Sequence, residues 1–352
     1  MAFTTIDDPE ANFQTVLYTG NGSTQSITLP GDTNMQPDLV WIKTRSNSSN
    51  HQVHNSLTSE TYHYLRPNAT TAEITSNSDA LTAFNSDGFS LGSDGVINEN
   101  TYTYAAWCWK GGTTSGITTD GNTTITPSSY SFNADAGFAL LKYSGNGTAG
   151  AKVAHGLGKV PKFIVTKRQD EGAESWTTFH AGIGSTKFVN FNSTSAAGTA
   201  TNRWNDTDPD TVNFTLGSEG SVNASSQPLY AWCFADVQGY SKFGSYTGNG
   251  NADGTFVYTG FRPAWVLCKK SSSTGNWNIT DTKRNTGNPH GKQIEINSDG
   301  AEFDNERLDI LSNGFKHRAS GSDLNGSATS YIYVAFAEAP FVNSNGVPCN
   351  AR

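Results

Sequence analysis

PDLVWIK at residues 37–43 returns as PKFIVTK at 161–167 and again as PAWVLCK at 263–269. A proline opens each run and a lysine closes it six residues later. Successive side chains of a strand point to opposite faces. Leu39 and Trp41 therefore share a face with Lys43, while Val40 and Ile42 take the other. The counterparts are Phe163, Val165 and Lys167 in the second run, and Trp265 to Leu267 before Cys268 and Lys269 in the third. Apolar residues on both faces mark a central strand of a two-layer structure, because a solvated face would carry polar residues at alternate positions. The proline precedes the strand, where its missing N–H removes no ladder bond. The lysine invites a role as a ligand contact, but a lysine at a strand end usually covers core with its stem and keeps its ammonium in water, and that is the expectation here.

Working outward, the run belongs to a longer pattern present three times. The first copy has LYTGNG at 17–22, GFSLGSDGVIN at 88–98 and YAAWCW at 104–109. The second has KYSGNG at 142–147, NFTLGSEGSVN at 213–223 and YAWCF at 230–234; the third has SYTGNG at 245–250, GFKHRASGSDLN at 314–325 and YVAFAE at 333–338. Tyr18 to Trp107, Tyr143 to Trp232 and Tyr246 to Phe336 are separated by 89, 89 and 90 positions, which rules out coincidence. The expected domains are residues 13–112, 137–239 and 240–342, with an N-terminal arm at 1–12, a linker at 113–136 and a tail at 343–352. The linker is rich in Thr, Ser and Gly and can pair locally as strand. The second and third copies adjoin with almost no linker, so rigid stacking is expected of them.

The Asn-Gly pair after each repeated tyrosine reads as a hairpin turn, which needs positive φ at its central residues. A phosphate cradle is its rival, but GNG lacks the Gly-Lys-Ser/Thr ending of a P-loop and the full spacing of a dinucleotide fingerprint. In the last strand Ala105, Trp107 and Trp109 face one way, and Tyr104, Ala106 and Cys108 the other. Trp232 and Cys233 fall at the same places in copy two, and Phe336 and Ala337 are their expected counterparts in copy three. Alanine in place of cysteine indicates a small apolar slot that a free buried thiol fills; a Cys108–Cys233 disulfide is disfavoured, since equivalent sites of separate domains lie far apart. Helical periodicity is confined to Glu302–Leu311. The expected fold class is all-β, three tandem antiparallel β-sandwich domains of jelly-roll or lectin-like type.

Composition narrows the function. The 352 residues carry a formal net charge of −8, with no more than two basic residues adjacent, which argues against nucleic acid as a partner. Aromatics make up 11% of the chain, too many for disorder. No apolar run approaches a membrane span and the opening MAFTTIDDPEANF has no secretory signature, so a soluble chain assembled in a cytoplasm is expected.

Candidate chemistry is sparse. His51, His54, His63, His155, His180, His290 and His317 could serve a nucleophile, but none has a recognisable setting or recurs at one repeat position, so each reads as a polar-loop histidine. Metal-binding signatures are missing. Asp87, Asp94, Glu219, Asp299 and Asp304 lie in turn-like contexts where acids cap their own backbone, with calcium as the alternative. A pair of acids could make a glycosidase, yet acids do not recur with the repeats. Trp176 and Trp277 follow the Pro–Lys strand at similar distances, with His51 at that place in copy one; sugar stacking and closure of the domain core are the two readings, and closure is favoured. No catalytic, cofactor or metal residue is assigned and no cofactor is expected; the ligand-binding residues stay unassigned.

GNGTAGAKVAHGLGKVPKFIVTKR at 145–168, the YAAWCW arrangement at 88–109 and YIYVAFAEAPFVNSNGVP at 331–348 resemble the tandem β-domains of tail-fibre and virion structural proteins of tailed phages, those of marine phages especially. The resemblance extends over nearly the whole chain. It implies a lectin-like sandwich fold and a structural or host-attachment role, with no catalytic residue to transfer. It also implies residence on the exterior of a virion tail or capsid, other virion proteins as partners and a homo-oligomer, a trimer by analogy. A tail fibre or tail-associated appendage that contacts host-surface glycan is the expected function. A capsid decoration or head-fibre protein and a polysaccharide-degrading tail enzyme are the alternatives.

Overall fold

The computed structural model describes residues 4–170, 172–321 and 323–349, so the ends of the expected arm and tail, 1–3 and 350–352, lie outside it. The regular secondary structure is almost entirely antiparallel strand. In copy one, a sheet in the order Phe13–Thr19, Thr103–Trp109, Leu39–Thr44, Gln52–Asn55 faces a second sheet in the order Gln25–Thr28, Gly88–Leu91, Leu81–Asn85. Copy two repeats this with Phe138–Ser144, Pro228–Ala235, Pro161–Arg168 and Thr177–His180 inside, and Ala151–Ala154 paired with Asn213–Leu216 outside. In copy three the two layers are continuous, one eight-stranded sheet running from Ser241–Thr247 to Phe256–Tyr258.

Both faces of the central strand are apolar because they serve two different cores. Val40 and Ile42 face their own sandwich together with Tyr104, Ala106 and Cys108. Leu39, Trp41, Trp107 and Trp109 face away from it, into a core shared with Phe163, Val165, Trp232 and Phe234 of copy two and Trp265, Leu267, Val334 and Phe336 of copy three. The inner sheets of the three copies thus close around one axis. Trp109, Phe234 and Phe336 form a triangle on it, with ring centroids 6.2, 5.8 and 5.7 Å apart. Each such side chain contributes roughly 1.5–3 kcal/mol by leaving water, so the shared core rivals any single sandwich core as a source of stability. A small enclosed void of about 20 Å³, lined only by apolar residues including Trp41, Trp232 and Leu267, remains beside the triangle. An apolar void of that kind stays dry.

The arm fastens the ring. Ile6 and Phe13 enter the shared core, and Phe13 stacks on Phe336 at 5.1 Å. Asp7 accepts a hydrogen bond from the Ser344 amide at 2.7 Å, so the N-terminal arm and the C-terminal tail meet. The segment 113–136 is folded onto copy two: Ser129–Asn133 forms the edge of its inner sheet, and Ile125 and Phe132 enter its core.

Three sequence expectations need correction. Strand pairing aligns Val334 with Trp107 and Trp232, and Phe336 with Trp109 and Phe234, so the third copy is displaced by two residues from the spacing read in the sequence. The small slot of Cys108 and Cys233 is accordingly filled by Ala335, not Ala337. A shift of two preserves the face of every side chain, which is why the alternation could not reveal it. Second, Phe303–Leu311 is a strand, paired through Leu308 and Ile310 to Gly314–His317. Leu308 and Ile310 alternate into the core, which decides strand over helix.

Third, the Asn-Gly pair does not make a hairpin. The strands on either side of it do not pair: in copy one Phe13–Thr19 belongs to the inner sheet and Gln25–Thr28 to the outer, and in copy three Ser241–Thr247 and Phe256–Tyr258 are the opposite ends of one sheet. Only the second glycine has positive φ, +67° at Gly22, +70° at Gly147 and +67° at Gly250. The loop is instead moulded on an asparagine that ends the GFSLGSDGVIN motif. Asn98, Asn223 and Asn325 accept at Oδ1 from the amides of Asn21, Asn146 and Asn249 at 3.1, 2.8 and 3.1 Å. The repeated Tyr18, Tyr143 and Tyr246 hydroxyls donate to the carbonyl just before it, at Ile97, Val222 and Leu324. The first glycine is required by contact: a Cβ on Gly20, Gly145 or Gly248 would sit 2.2–2.4 Å from a backbone oxygen. Asn223 is fully buried and also donates to Thr148 and Gly217. Asn223→Ala strands these groups and should cost about 1–3 kcal/mol in urea unfolding; an unchanged midpoint would contradict that role.

Candidate functional site

The repeated lysine is not a solvent-facing residue. Lys43, Lys167 and Lys269 are wholly buried, and their ammonium groups donate to backbone carbonyls. Lys167 reaches Thr70 of copy one at 2.9 Å and Glu174 at 2.8 Å; Lys269 reaches Thr194 of copy two at 3.2 Å and Lys270 at 2.7 Å. Lys43 donates to Thr44 at 2.9 Å and is drawn electrostatically to Asp299 of copy three. The expectation that the head stays in water fails because each ammonium is bonded to backbone carbonyls, one of them from a neighbouring copy at Lys167 and Lys269.

The position shared by His51, Trp176 and Trp277 behaves the same way. Trp176 donates to Arg66 and Ala69 of copy one at 3.0 and 3.1 Å, and Trp277 to Asn190 of copy two at 3.0 Å. His51 Nδ1 accepts from Trp41 at 2.9 Å, which leaves Nε2–H to donate to Glu295 of copy three at 3.1 Å. Copy two therefore grips copy one, copy three grips copy two and copy one grips copy three. Main-chain bonds run round the ring in the opposite sense, from Glu302 to Arg45, Glu73 to Gln169 and Ala197 to Ser271, at 2.9, 2.8 and 2.9 Å. The tryptophans close a core, but the core between copies.

The interface of copies one and three also holds a buried ion network. Arg284 Nε donates to Asp281 at 2.6 Å and its Nη1 to Glu302 at 3.2 Å; Glu302 is gripped in turn by Arg45 through two bonds of 2.9 and 3.0 Å. Trp107 Nε1 donates to the same Asp281 oxygen at 3.1 Å. The side chains of Asp281 and Arg284 are fully buried.

Burial sets the protonation states. It lowers Lys43 and Lys269 from the usual lysine value to about 8. Such a lysine is charged in the unfolded chain at pH values where the folded one is neutral, so it makes stability rise between about pH 8 and 10.5. The buried Cys108 and Cys233 thiols, pushed up by burial, and Cys268, pushed up to about 12, act against it in the same window. The measurable quantity is thus a difference. Between pH 8 and 9.5, wild type should gain on the Lys43→Met, Lys269→Met double variant by roughly 1–2 kcal/mol per lysine in urea unfolding; parallel pH profiles would contradict it.

The histidines do not lie in polar loops as expected: His51, His54, His155, His180 and His317 are completely buried. His155 and His180, like His51, accept at Nδ1 and face a carbonyl with Nε2. His155 and His180 thus each plug a gap between backbone groups, and His51 one between the Trp41 indole and the Glu295 carbonyl. All four cysteines are free, three of them buried in separate sandwich cores. Asp94 accepts from the Val96 amide at 2.7 Å in its own turn and also from Gln52 and Asn77, while Asp87 accepts from the Met35 amide and Glu219 pairs with Arg203. Among the described residues no cluster of three or more His, Cys, Asp or Glu could hold a metal ion.

One surface stands apart. The exposed large apolar residues among those described are Phe256, Tyr258 and Val347, the first two on the outermost strand of copy three at 44% and 58% exposure. Tyr258 borders a groove of about 500 Å³ with Asp236, Gln238, Ser241, Lys242, Thr259 and Gly260. The sequence pattern did not single it out, because the residues come from the junction of copies two and three and from a strand that is polar in copy one.

The fold and these contacts define an all-β scaffold in which three sandwiches close on one another. The chain belongs to the DUF7483 family, a domain of unknown function whose model matches residues 8–340, all three copies included. No curated protein matches it.

Proposed function

We propose that the chain is a non-enzymatic structural subunit of an exposed bacteriophage appendage, a tail fibre or tail-associated part that contacts host-surface glycan. The observation that carries this is the use made of the repeated polar and aromatic residues. Lys167, Lys269 and the His51, Trp176 and Trp277 set all bond across to a neighbouring copy, and Lys43 is buried against carbonyls of its own copy. A nucleophile needs an accessible, activated group, and these groups are sealed and bonded to backbone. The motif resemblance to tail-fibre domains supports the virion setting, and the low charge and polar Asn, Ser and Thr loops suit an exposed surface.

A homotrimer of chains belongs to the same proposal, with other virion proteins as partners; light scattering that returned the mass of one chain would remove it. Immunogold labelling of virions tests the location. Label on tails is the expected result, whereas label spread over capsids would replace the tail assignment with decoration, and unlabelled virions would overturn the reading.

A further inference from the structure

We infer that the groove beside Tyr258 is a binding site for a neutral saccharide, present once per chain. This deepens the reading of the chain as a glycan-contacting subunit and rests on it. The groove is assembled from the Asp236–Gly239 junction, the start of the Ser241–Thr247 strand and the turn at Tyr258–Gly260. Its volume of about 500 Å³ suits a ligand of one or two sugar rings.

The aromatic wall lies beside Gly260. Gly260 has φ +84°, and a Cβ there would lie 3.6–3.8 Å from the Tyr258 ring and hydroxyl, so the tyrosine is folded back over the glycine. That leaves Tyr258 58% exposed at the rim. Phe256, two residues earlier, has a different duty, because its ring covers Gly314 on the adjacent strand at 3.1 Å from where a Cβ would be. The same two strand positions hold Ser26 and Thr28 in copy one and Lys152 and Ala154 in copy two, by pairing register about Ile27, Val153 and Val257. Neither core packing nor the repeat requires tyrosine at 258.

The polar wall selects against charge. Asp236 and Lys242 are paired at 2.7 Å, and Asp236 also accepts from the Phe243 amide at 2.9 Å. Their charges cancel, so the groove offers a charged ligand no net attraction. What it offers instead is the exposed Gln238 amide, the remaining donors of Lys242 and an aromatic face. A sugar ring presents the complement, an apolar C–H face for the tyrosine and hydroxyls that both donate and accept. A peptide partner would need a larger contiguous apolar surface than this rim provides.

The test is an array of neutral and acidic bacterial-surface oligosaccharides probed with the full chain, with Tyr258→Ala and with Tyr258→Thr, the residue of copy one. The full chain is expected to retain at least one neutral saccharide. Both variants should weaken that binding by roughly tenfold or more, with unchanged thermal unfolding. Failure to retain any neutral saccharide, binding confined to acidic ones, or equal binding by Tyr258→Ala would each overturn the site. Those outcomes leave the virion location standing, and unlabelled virions would leave the saccharide result standing, so the two failures are distinguishable.

Discussion

Acidification from pH 7 to below pH 5 is expected to unfold the protein while most of its carboxylates are still ionised. Burial lowers His51 and His317 to about 3 and His155 and His180 to about 4. Geometry gives the same answer for three of them: Nδ1 of His51, His155 and His180 already accepts from an N–H, so a proton placed there breaks a bond and opposes a donor. His54 is excluded, because both its nitrogens face oxygens that could receive a second proton's bond. The sign follows from the folded pKa lying below the unfolded value. The stabilisation is complete above about pH 6.5 and is lost as pH falls towards 3–4. At pH 5 each group costs about 2 kcal/mol, roughly 8 kcal/mol over four, which is comparable to the whole stability of an ordinary domain. Tryptophan fluorescence and circular dichroism followed against pH should show a cooperative loss of structure between about pH 6 and 4. A native spectrum at pH 4 would sink this account of the histidines.

The second large effect is expected at Arg284. Replacing it with leucine leaves Asp281, fully buried, with only Trp107 and local backbone for its charge, and leaves Glu302 to Arg45 alone. Breaking a buried pair in this way costs about 3–5 kcal/mol. Removing both members should hurt less than removing one, because no stranded charge remains. Urea unfolding of Arg284→Leu and of the Asp281→Leu, Arg284→Leu double variant measures this directly. A double variant weaker than the single by the full additive amount would show that the ions stabilise through something other than mutual compensation. Arg45→Ala, at the 19%-exposed end of the network, should cost only about 1 kcal/mol.

Much of the architecture was readable from alternation. Leu39 and Trp41 against Val40 and Ile42 correctly indicated a strand buried on both faces. Periodicity reports that a face is covered, however, and not by what; here the second cover is another copy of the same pattern. That missing identity accounts for the misjudged lysines. A strand-end lysine ordinarily reaches water, and only the arrival of Thr70 or Thr194 from a neighbouring copy makes burial tolerable. His51 failed to register as a counterpart of Trp176 and Trp277 in role because the shared property is an N–H aimed across an interface, which two unlike side chains supply. The two-residue slip at Phe336 was invisible for the opposite reason, since it left every face correct. Tyr258 and its groove had no periodic signal at all: the site depends on a junction and on one residue that departs from its copies.

The three copies share one core and therefore stand or fall together. Native-state hydrogen exchange in rising urea tests this most directly, by following amides of the central strands at Trp41, Val165 and Leu267. One common opening free energy for all three is predicted, lowered equally in every copy by Trp109→Ala, a substitution at the axis expected to cost about 3–5 kcal/mol. Three distinct free energies, with Trp109→Ala felt in copy one alone, would show that the copies are independent domains and would contradict the account.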